Sequence, residues 1–448
     1  MKNKLLEKMF EYDRWVELLE HAEEKGINKT ILRQMSSPQV RLSFYEAIKS
    51  GKYEIAPPHA ILIPKGNGDF RTVYANEDVD RILLTLINDC MMELFKKHIH
   101  PSCVSYQKGL GTQEIVSKIP GIMKKLYRND GKPVGAVTDY SKFFDRICIE
   151  AIDKCLDKME IELGFEIGTE PVIEIVRRYY HCNLYFDVDG SLKEEYKAIK
   201  QGSATAAVLS CMILYDLDEY MANKYPLYVR YSDDSLTCAD NIDEAINDIN
   251  RLASEYGIQL NPLKIKPVYV DQYFKFLGFL IKGNTITLSK NRIKKLTNEI
   301  YKATLEKPNI HPVHAKMAIK KILYGNGDGY SWATSAFGAM RNCDKDIEIL
   351  NNFIMDCIRL VETRYNYNKE RKANGLKPRK IKYNMSHVGG IGVVTNLPDR
   401  TLVRGKGSKV KAGRERTQKE IDHYKSVGCL LKAYKISRPV YESVVRGM

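Results

Sequence analysis

Acidic residues at the ends of predicted strands are the sequence feature that most restricts this fold. The segment Tyr228–Cys238 reads YVRYSDDSLTC, in which two adjacent aspartates separate two short runs of β-forming residues. Because Asp233 and Asp234 fall between these runs, the pattern predicts a tight hairpin that holds both carboxylates at a fixed place. An earlier apolar run, GAVTD, ends at Asp139. If these strands are neighbours, three carboxylates meet at one edge of a sheet.

Three converging carboxylates predict a site for divalent cations. Like charges at close range repel strongly unless cations join them, and hard oxygen ligands suit Mg²⁺. Two such ions about 3.5 to 4 Å apart can activate an attacking hydroxyl and stabilise the leaving oxygen in phosphoryl transfer. The alternative interpretation is a solvated turn, which is what most adjacent aspartates form.

Helical and strand patterns alternate along the chain, but hairpins interrupt them. The stretch from Tyr53 reads as two strands around a Gly-Asn-Gly turn, and the stretch from Asp78 reads as a long helix. QGSATAAVLSCMILYDLDEYM, from Gln201, also reads as one long helix, and amphipathic helical patterns follow Ser289. This order indicates an α+β fold rather than a doubly wound parallel sheet, with a separate helical unit after the sheet.

Composition limits the class of protein. A length of 448 residues suggests roughly two to four structural units. The chain is 44% apolar and 28% charged, and it has no run of about 18 uncharged apolar residues, so we expect no membrane partner. Its ten cysteines contain no CxxC pair, which favours reduced thiols in a cytoplasmic protein over a structural zinc site.

Positive charge is concentrated at the C-terminus. Residues 369–448 contain twenty Lys and Arg against six Asp and Glu, a net charge of +14 that equals the net charge of the whole chain. Such a segment is typical of a polyanion binder, because each phosphate that it neutralises releases counterions. The alternative is a solvated tail.

Six short motifs occur in a recognisable order. They are IPKGNGDFR, DYSKFFD, QGS, YSDD, a lysine at position 264 and FLGF. Over about residues 57–282 the chain resembles the polymerase core of reverse transcriptases. The resemblance implies a right-hand polymerase with an N-terminal helical segment (1–52), fingers (53–133), a palm with an antiparallel sheet (134–282, with a fingers-like insertion at about 151–200), a helical thumb (283–368) and a basic RNA-binding C-terminal extension (369–448).

The resemblance also implies the catalytic residues. In that family the matching aspartates hold two Mg²⁺ ions, which assigns Asp139, Asp233 and Asp234 as metal ligands, with the backbone carbonyl of Tyr140 as a further ligand. Lys264 matches the lysine that protonates the departing pyrophosphate. Lys266 competes for that role, and a plain surface lysine is the alternative.

Residues that bind the nucleotide are implied in the same way. Lys65 and Arg71 match the cations that grip the triphosphate, and Phe144 matches the aromatic residue that blocks a 2′-hydroxyl, which implies dNTP substrates. Gln201 and Gly202 are expected to open a helix beside the nucleotide or a template base. Family members often carry Pro before this Gln, whereas this chain has Lys200.

The remaining implications concern primer and partners. Phe276, Leu277 and Gly278 match the turn that supports the primer, although aromatic residues there also suit a sheet core. The compact core resembles bacterial defence-associated and abortive-infection reverse transcriptases, which implies a structured noncoding RNA template and a DNA product that acts against phage. The alternatives are a group II intron-type maturase and a catalytically silent RNA-binding scaffold. The sequence leaves the oligomeric state open.

Overall fold

The chain forms two compact units. The computed structural model describes residues 4–65, 68–107, 112–128, 130–196, 198–307, 309–325, 331–362 and 365–377. The first unit comprises Met1–Lys108 and Gly135–Pro267, and the second comprises Gly109–Val134 and Val268–Met448.

Helices account for most of the described residues. In chain order they are α1 (Lys4–Met9), α2 (Tyr12–Glu20), α3 (Lys29–Met35), α4 (Pro38–Lys49), α5 (Asp78–Leu94), α6 (Thr112–Val116), α7 (Ile119–Leu126), α8 (Phe143–Arg146), α9 (Ile149–Leu163), α10 (Pro171–His181), α11 (Ala206–Met212), α12 (Tyr215–Lys224), α13 (Ile242–Ser254), α14 (Lys290–Thr304), α15 (Pro312–Tyr324), α16 (Asp344–Glu362) and α17 (Tyr365–Ala373).

The strands form three sheets. They are β1 (His59–Pro64), β2 (Phe70–Ala75), β3 (Gly135–Asp139), β4 (Leu184–Phe186), β5 (Leu192–Glu194), β6 (Leu227–Tyr231), β7 (Asp234–Cys238), β8 (Lys266–Val268), β9 (Phe274–Phe276), β10 (Phe279–Lys282) and β11 (Thr285–Leu288). Their orders are β2-β1-β4-β5, β6-β7-β3-β8 and β11-β10-β9. Mixed helices and sheets of this kind confirm the predicted α+β class, whereas the right-hand arrangement stays a prediction.

The β6-β7-β3 sheet packs into the core of the first unit. β3 pairs antiparallel with β7 along its whole length, from Gly135 opposite Cys238 to Asp139 opposite Asp234. Gly135 is required there, because a Cβ at this position would lie 2.7 Å from the carbonyl oxygen of Thr237. The close packing therefore fixes the register, and a slip of one residue would turn every side chain of β3 to the other face.

Helices cover this sheet with one continuous apolar cluster. The cluster includes residues from the N-terminal helices, from α5, from α9 to α13 and from the sheet itself. Burial of this size is what stabilises the unit, since apolar area removed from water contributes about 25 cal/mol per Å².

The second unit has its own sheet and helices. β9, β10 and β11 form an antiparallel meander, and α14, α15 and α16 pack on one another. Ile293, Leu296 and Ile300 are buried on one face of α14, which is the amphipathic pattern that the sequence indicates after Ser289.

One helix differs from the sequence-based expectations. The predicted helix from Gln201 is two helices, because α11 ends at Met212 and α12 begins at Tyr215. The five predicted domains stay a prediction, and the extension from 369 lies outside the described residues after 377. Among the described helices, none is long and apolar enough to cross a membrane.

Candidate active site

The turn between β6 and β7 sets the position of two acidic side chains. β6 ends at Tyr231 and β7 begins at Asp234, which leaves a two-residue turn. Ser232 has φ +57°, in the left-handed region that such tight turns use. Its backbone N–H donates to the Ser105 hydroxyl at 2.5 Å. Asp233 therefore lies in the turn itself, and Asp234 is the first residue of the second strand.

β3 brings the third carboxylate to the same edge. Asp139 lies directly opposite Asp234 in the β3–β7 register, and the backbone N–H of Tyr140 donates to the carbonyl oxygen of Asp233 at 3.1 Å. Directly opposed residues in an antiparallel pair have Cβ atoms about 4.5–5.5 Å apart. The structure thus brings the three aspartates together, while their assignment as metal ligands stays a prediction.

Nearby cations offset part of the mutual repulsion of these carboxylates. Burial raises the pKa of the Asp233 carboxyl, and the negative charge of Asp139 raises it further, whereas Lys264 and Arg71 lower it. Lys264 Nζ donates to both carboxylate oxygens of Asp139, at 2.7 and 2.8 Å. The positive charges of Lys264 and Arg71 therefore stabilise the ionised carboxylates of this site.

The donor atoms suit a hard divalent cation. Carboxylate oxygens are the ligands that Mg²⁺ prefers, and the Lys264 ammonium occupies the position of a counter-cation at Asp139. In the part of the chain that the structure describes, no three acidic, histidine or cysteine side chains already surround one metal position. The three aspartates therefore fit a divalent cation in their chemistry, provided that Lys264 releases Asp139.

A short turn holds Lys264 beside the aspartates. Asn261 caps the 3₁₀ helix Pro262–Lys264 by accepting the Leu263 N–H at 3.1 Å. The Asn261 N–H in turn donates to the carbonyl oxygen of Asp139 at 2.8 Å. Because the same loop is tied to the end of β3, the position of Lys264 follows from the backbone.

Lys65 and Arg71 lie on the β1–β2 hairpin. The Lys65 N–H donates to the carbonyl oxygen of Asp69 at 2.8 Å and closes the connection between the strands. The predicted turn residues Gly66–Asn67 lie outside the described part of the chain. Both cationic side chains are exposed, and Arg71 is near enough to Asp233 to lower its pKa. These positions are compatible with binding an anionic substrate above the aspartates.

Phe144 follows a turn with unusual backbone geometry. Lys142 has φ +51° immediately before α8, and such conformations occur more often at functional sites. Phe143 is buried and stacks on Tyr140, with ring centroids 5.7 Å apart. Phe144 packs edge-on against Phe143 at 5.1 Å but is only partly buried. Phe144 therefore offers a surface to a ligand and Phe143 does not.

The structure corrects the reasoning about Gln201 and Gly202. α11 begins at Ala206, so the free N–H groups at its start do not belong to Gln201. Gly202 has φ +111°, and a Cβ there would lie 3.0 Å from the carbonyl oxygen of Tyr74. The close approach that this glycine permits is thus to strand β2, and a role for either residue in nucleotide binding stays a prediction.

The expected primer-supporting turn lies in the second unit. Leu277 and Gly278 form a two-residue turn between β9 and β10, with φ +46° and +81°. Positive φ at both central residues is the geometry that tight hairpins favour. Phe276 and Phe279 are buried, so their rings belong to the core of this unit, and a role for Phe276, Leu277 and Gly278 in primer binding stays a prediction.

A buried ion pair that the sequence reasoning missed supports the hairpin. The Arg230 guanidinium and the Asp218 carboxylate are fully buried and form two hydrogen bonds, at 2.6 and 2.7 Å. Arg230 also donates to the carbonyl oxygens of Ser210, Cys211 and Ser232. The bond to Ser232 links the pair to the turn that carries Asp233. An arginine within the apolar run YVRY was the one signal available in the sequence.

Comparison with known protein families gives a match over the middle of the chain. The sequence pattern of the family described as reverse transcriptase (RNA-dependent DNA polymerase) matches residues 63–281. No curated protein matches at the sequence level.

Solved telomerase structures are similar to this chain. They include apo telomerase from Candida tropicalis (12% identity, TM-score 0.42, covering 72% of this chain and 59% of that chain). For apo telomerase from Candida tropicalis truncated from its C-terminal domain, the identity is 15% and the TM-score 0.36, and the alignment covers 57% of this chain and 60% of that chain. For telomerase from Candida albicans in complex with a TWJ fragment of telomeric RNA, the identity is 11% and the TM-score 0.39, and the alignment covers 76% of this chain and 68% of that chain. The alignment therefore spans less than two thirds of the first two telomerase chains.

Removing one partner of the buried ion pair should destabilise the first unit strongly. Arg230→Met leaves the Asp218 carboxylate buried without its counter-ion, which costs about 3–5 kcal/mol of unfolding free energy. The double variant Arg230→Met with Asp218→Leu removes both charges and should recover most of the loss. Urea unfolding of the wild type and both variants measures this, and equal stability of the single and double variants would contradict the pairing.

Proposed function

We propose that residues 63–281, which match the family described as reverse transcriptase (RNA-dependent DNA polymerase), form an RNA-directed DNA polymerase with Asp139, Asp233 and Asp234 as its catalytic centre. The observation that carries this proposal is the strand register that sets Asp139 opposite Asp234. These carboxylates, with the carbonyl oxygen of Tyr140, would hold two Mg²⁺ ions. When bound, the ions supply a reactive primer hydroxyl and stabilise the leaving oxygen of the nucleotide.

The chain's own residues bind and orient the substrate. Lys65 and Arg71, exposed on the β1–β2 hairpin, bind the triphosphate of a dNTP through charge-assisted hydrogen bonds. Lys264 holds protons at Nζ within bonding distance of Asp139 and donates one to the departing pyrophosphate. The turn at Leu277 and Gly278 supports the primer strand.

Loss of a catalytic carboxylate should abolish DNA synthesis. Asp139→Asn and Asp233→Asn should each lower dNTP incorporation on an RNA template by at least about 10³-fold, since several kcal/mol of transition-state stabilisation are lost. Asp145→Asn is the matched control, because Asp145 is exposed and belongs to the same motif. Primer extension with purified proteins and Mg²⁺ decides the matter, and equal incorporation by the wild type and both site variants would remove the enzymatic interpretation.

Substitution of Lys264 and of Lys266 tests which lysine, if either, acts as the general acid. Lys264→Met should lower kcat about 10²-fold, the usual contribution of a positioned general acid. Lys266→Met should leave kcat within about twofold of the wild type, because Lys264 is the lysine whose Nζ lies within hydrogen-bond reach of Asp139 and general-acid catalysis needs a group within such reach. Pre-steady-state nucleotide incorporation measures both. A larger loss for Lys266→Met would transfer the role to that residue.

Phe144 is proposed to select deoxyribonucleotides. Truncation in Phe144→Ala removes the ring that would lie against the sugar, so the preference for dNTPs over rNTPs should fall about tenfold or more. Phe165→Ala, just after α9, is the control and should keep the wild-type preference. The ratio of kcat/KM for dNTP and rNTP reports the effect, and an unchanged ratio in Phe144→Ala would assign the ring to packing alone.

The template is proposed to be a structured noncoding RNA. This rests on the resemblance to defence-associated reverse transcriptases and on the net charge of +14 in residues 369–448, a segment suited to phosphate contacts. The DNA product would then act against phage. Sequencing the RNA that co-purifies with the full chain should recover one dominant species. Intron RNA would instead favour a maturase, and unrelated cellular RNA would contradict a dedicated template.

A further inference from the structure

A buried lysine lies next to the segment Gln201–Gly202 and has no role in the chemistry proposed above. Lys200 is 2% exposed, and its Nζ donates to the carbonyl oxygens of Tyr179 at 2.6 Å and of Cys182 at 2.8 Å. Both carbonyls belong to the C-terminal end of α10, whose last carbonyl groups have no partner within the helix. The ammonium therefore completes the hydrogen bonding of this helix end.

Several interactions make the buried charge tolerable. The Nζ atom lies 4.5 Å from the ring centroid of Tyr179 and 5.6 Å from that of Tyr180, within the range of cation–π attraction. A cation at a helix C-terminus is also favoured by the helix dipole. Burial nevertheless lowers the pKa of Lys200 to about 8, so the charge carries a cost in stability. An apolar side chain would avoid this cost but would leave the carbonyl oxygens of Tyr179 and Cys182 without this donor.

Lys200 is linked through the next two residues to strand β2. The carbonyl oxygen of Gln201 accepts the Tyr74 N–H at 2.7 Å, and Gly202 approaches the same residue so closely that a Cβ would lie 3.0 Å from the Tyr74 carbonyl oxygen. Tyr74 is three residues from Arg71 on β2. The segment that Lys200 anchors therefore contacts the strand that carries Arg71, which itself pairs with Ile63 of β1.

A second connection joins the same two elements. The Tyr179 hydroxyl donates to the side-chain oxygen of Asn76, immediately after β2, at 3.2 Å. The end of α10 is thus tied to the end of β2 both through Lys200 and through Tyr179.

We propose that Lys200 is a positioning residue for the nucleotide: its buried ammonium fixes Gln201–Gly202 against the end of α10, and thereby holds β2 so that Arg71 meets the triphosphate. This inference rests on the proposed dNTP-binding role of Arg71. It assigns Lys200 an effect on substrate affinity rather than on the chemical step.

Replacement of Lys200 should therefore weaken nucleotide binding with little effect on turnover. Lys200→Met keeps the length of the side chain and removes the ammonium. We expect KM for dNTP to rise about tenfold while kcat stays within about twofold, because a lost positioning contact acts on ground-state binding as well as on the transition state. Lys193→Met, on the exposed strand β5, is the matched control and should change neither constant.

Two further measurements keep the test decisive. Equilibrium titration with a fluorescent dNTP reports affinity without catalysis, so it separates this inference from failure of the polymerase proposal. Tyr179→Phe removes a single hydroxyl from the second connection and should raise the dissociation constant for the dNTP about twofold to threefold. This variant takes the place of Lys200→Met in the test if Lys200→Met does not fold. The proposal is wrong if folded Lys200→Met binds the dNTP with the affinity of the wild type. If only Tyr179→Phe folds, unchanged dNTP affinity in that variant overturns the proposal in the same way. A lower kcat at constant KM would also overturn it, since that is the result of a purely structural residue.

Discussion

The antiparallel pairing of β3 with β7 is the constraint on which the candidate site depends. It converts a separation of almost a hundred residues in sequence into direct opposition of Asp139 and Asp234. The pairing is set by close packing at Gly135 and by the bond between the buried hydroxyls of Thr138 and Ser235 at 2.6 Å. Since every side chain of a strand changes face when its register shifts by one, this pairing permits little variation.

Three buried charges of the first unit are compensated locally. Arg230 is paired with Asp218, Lys200 is stabilised by carbonyl oxygens and aromatic rings, and Asp139 is paired with Lys264. A hydrophobic replacement would often be at least as stable as a buried ion pair. These pairs are therefore better understood as fixing where strands and turns lie than as the source of the unit's stability, which comes from the apolar cluster around them.

Some elements were readable from the sequence and others were not. The hairpin at Asp233, the strand ending at Asp139 and the helix from Asp78 were all predicted, because turn residues and apolar periodicity are local signals. The break between α11 and α12 was not predicted, since both helices share one apolar stretch and only packing in the core decides where the chain bends. The partners of Arg230 and Lys200 were missed for a related reason: they are the Asp218 carboxylate and backbone carbonyls on other elements, and neither kind of pairing has a sequence signature.

The sequence by itself determined which chemical groups this protein has and, through local periodicity, which of them stand at strand ends and turns. Tertiary structure alone decided that Asp139, Asp233 and Asp234 share one edge, that Lys264 bonds to Asp139, and that Gly202 approaches β2 rather than open space. The physical reason is that local conformation depends on neighbouring residues, whereas proximity between distant residues depends on how the whole core packs.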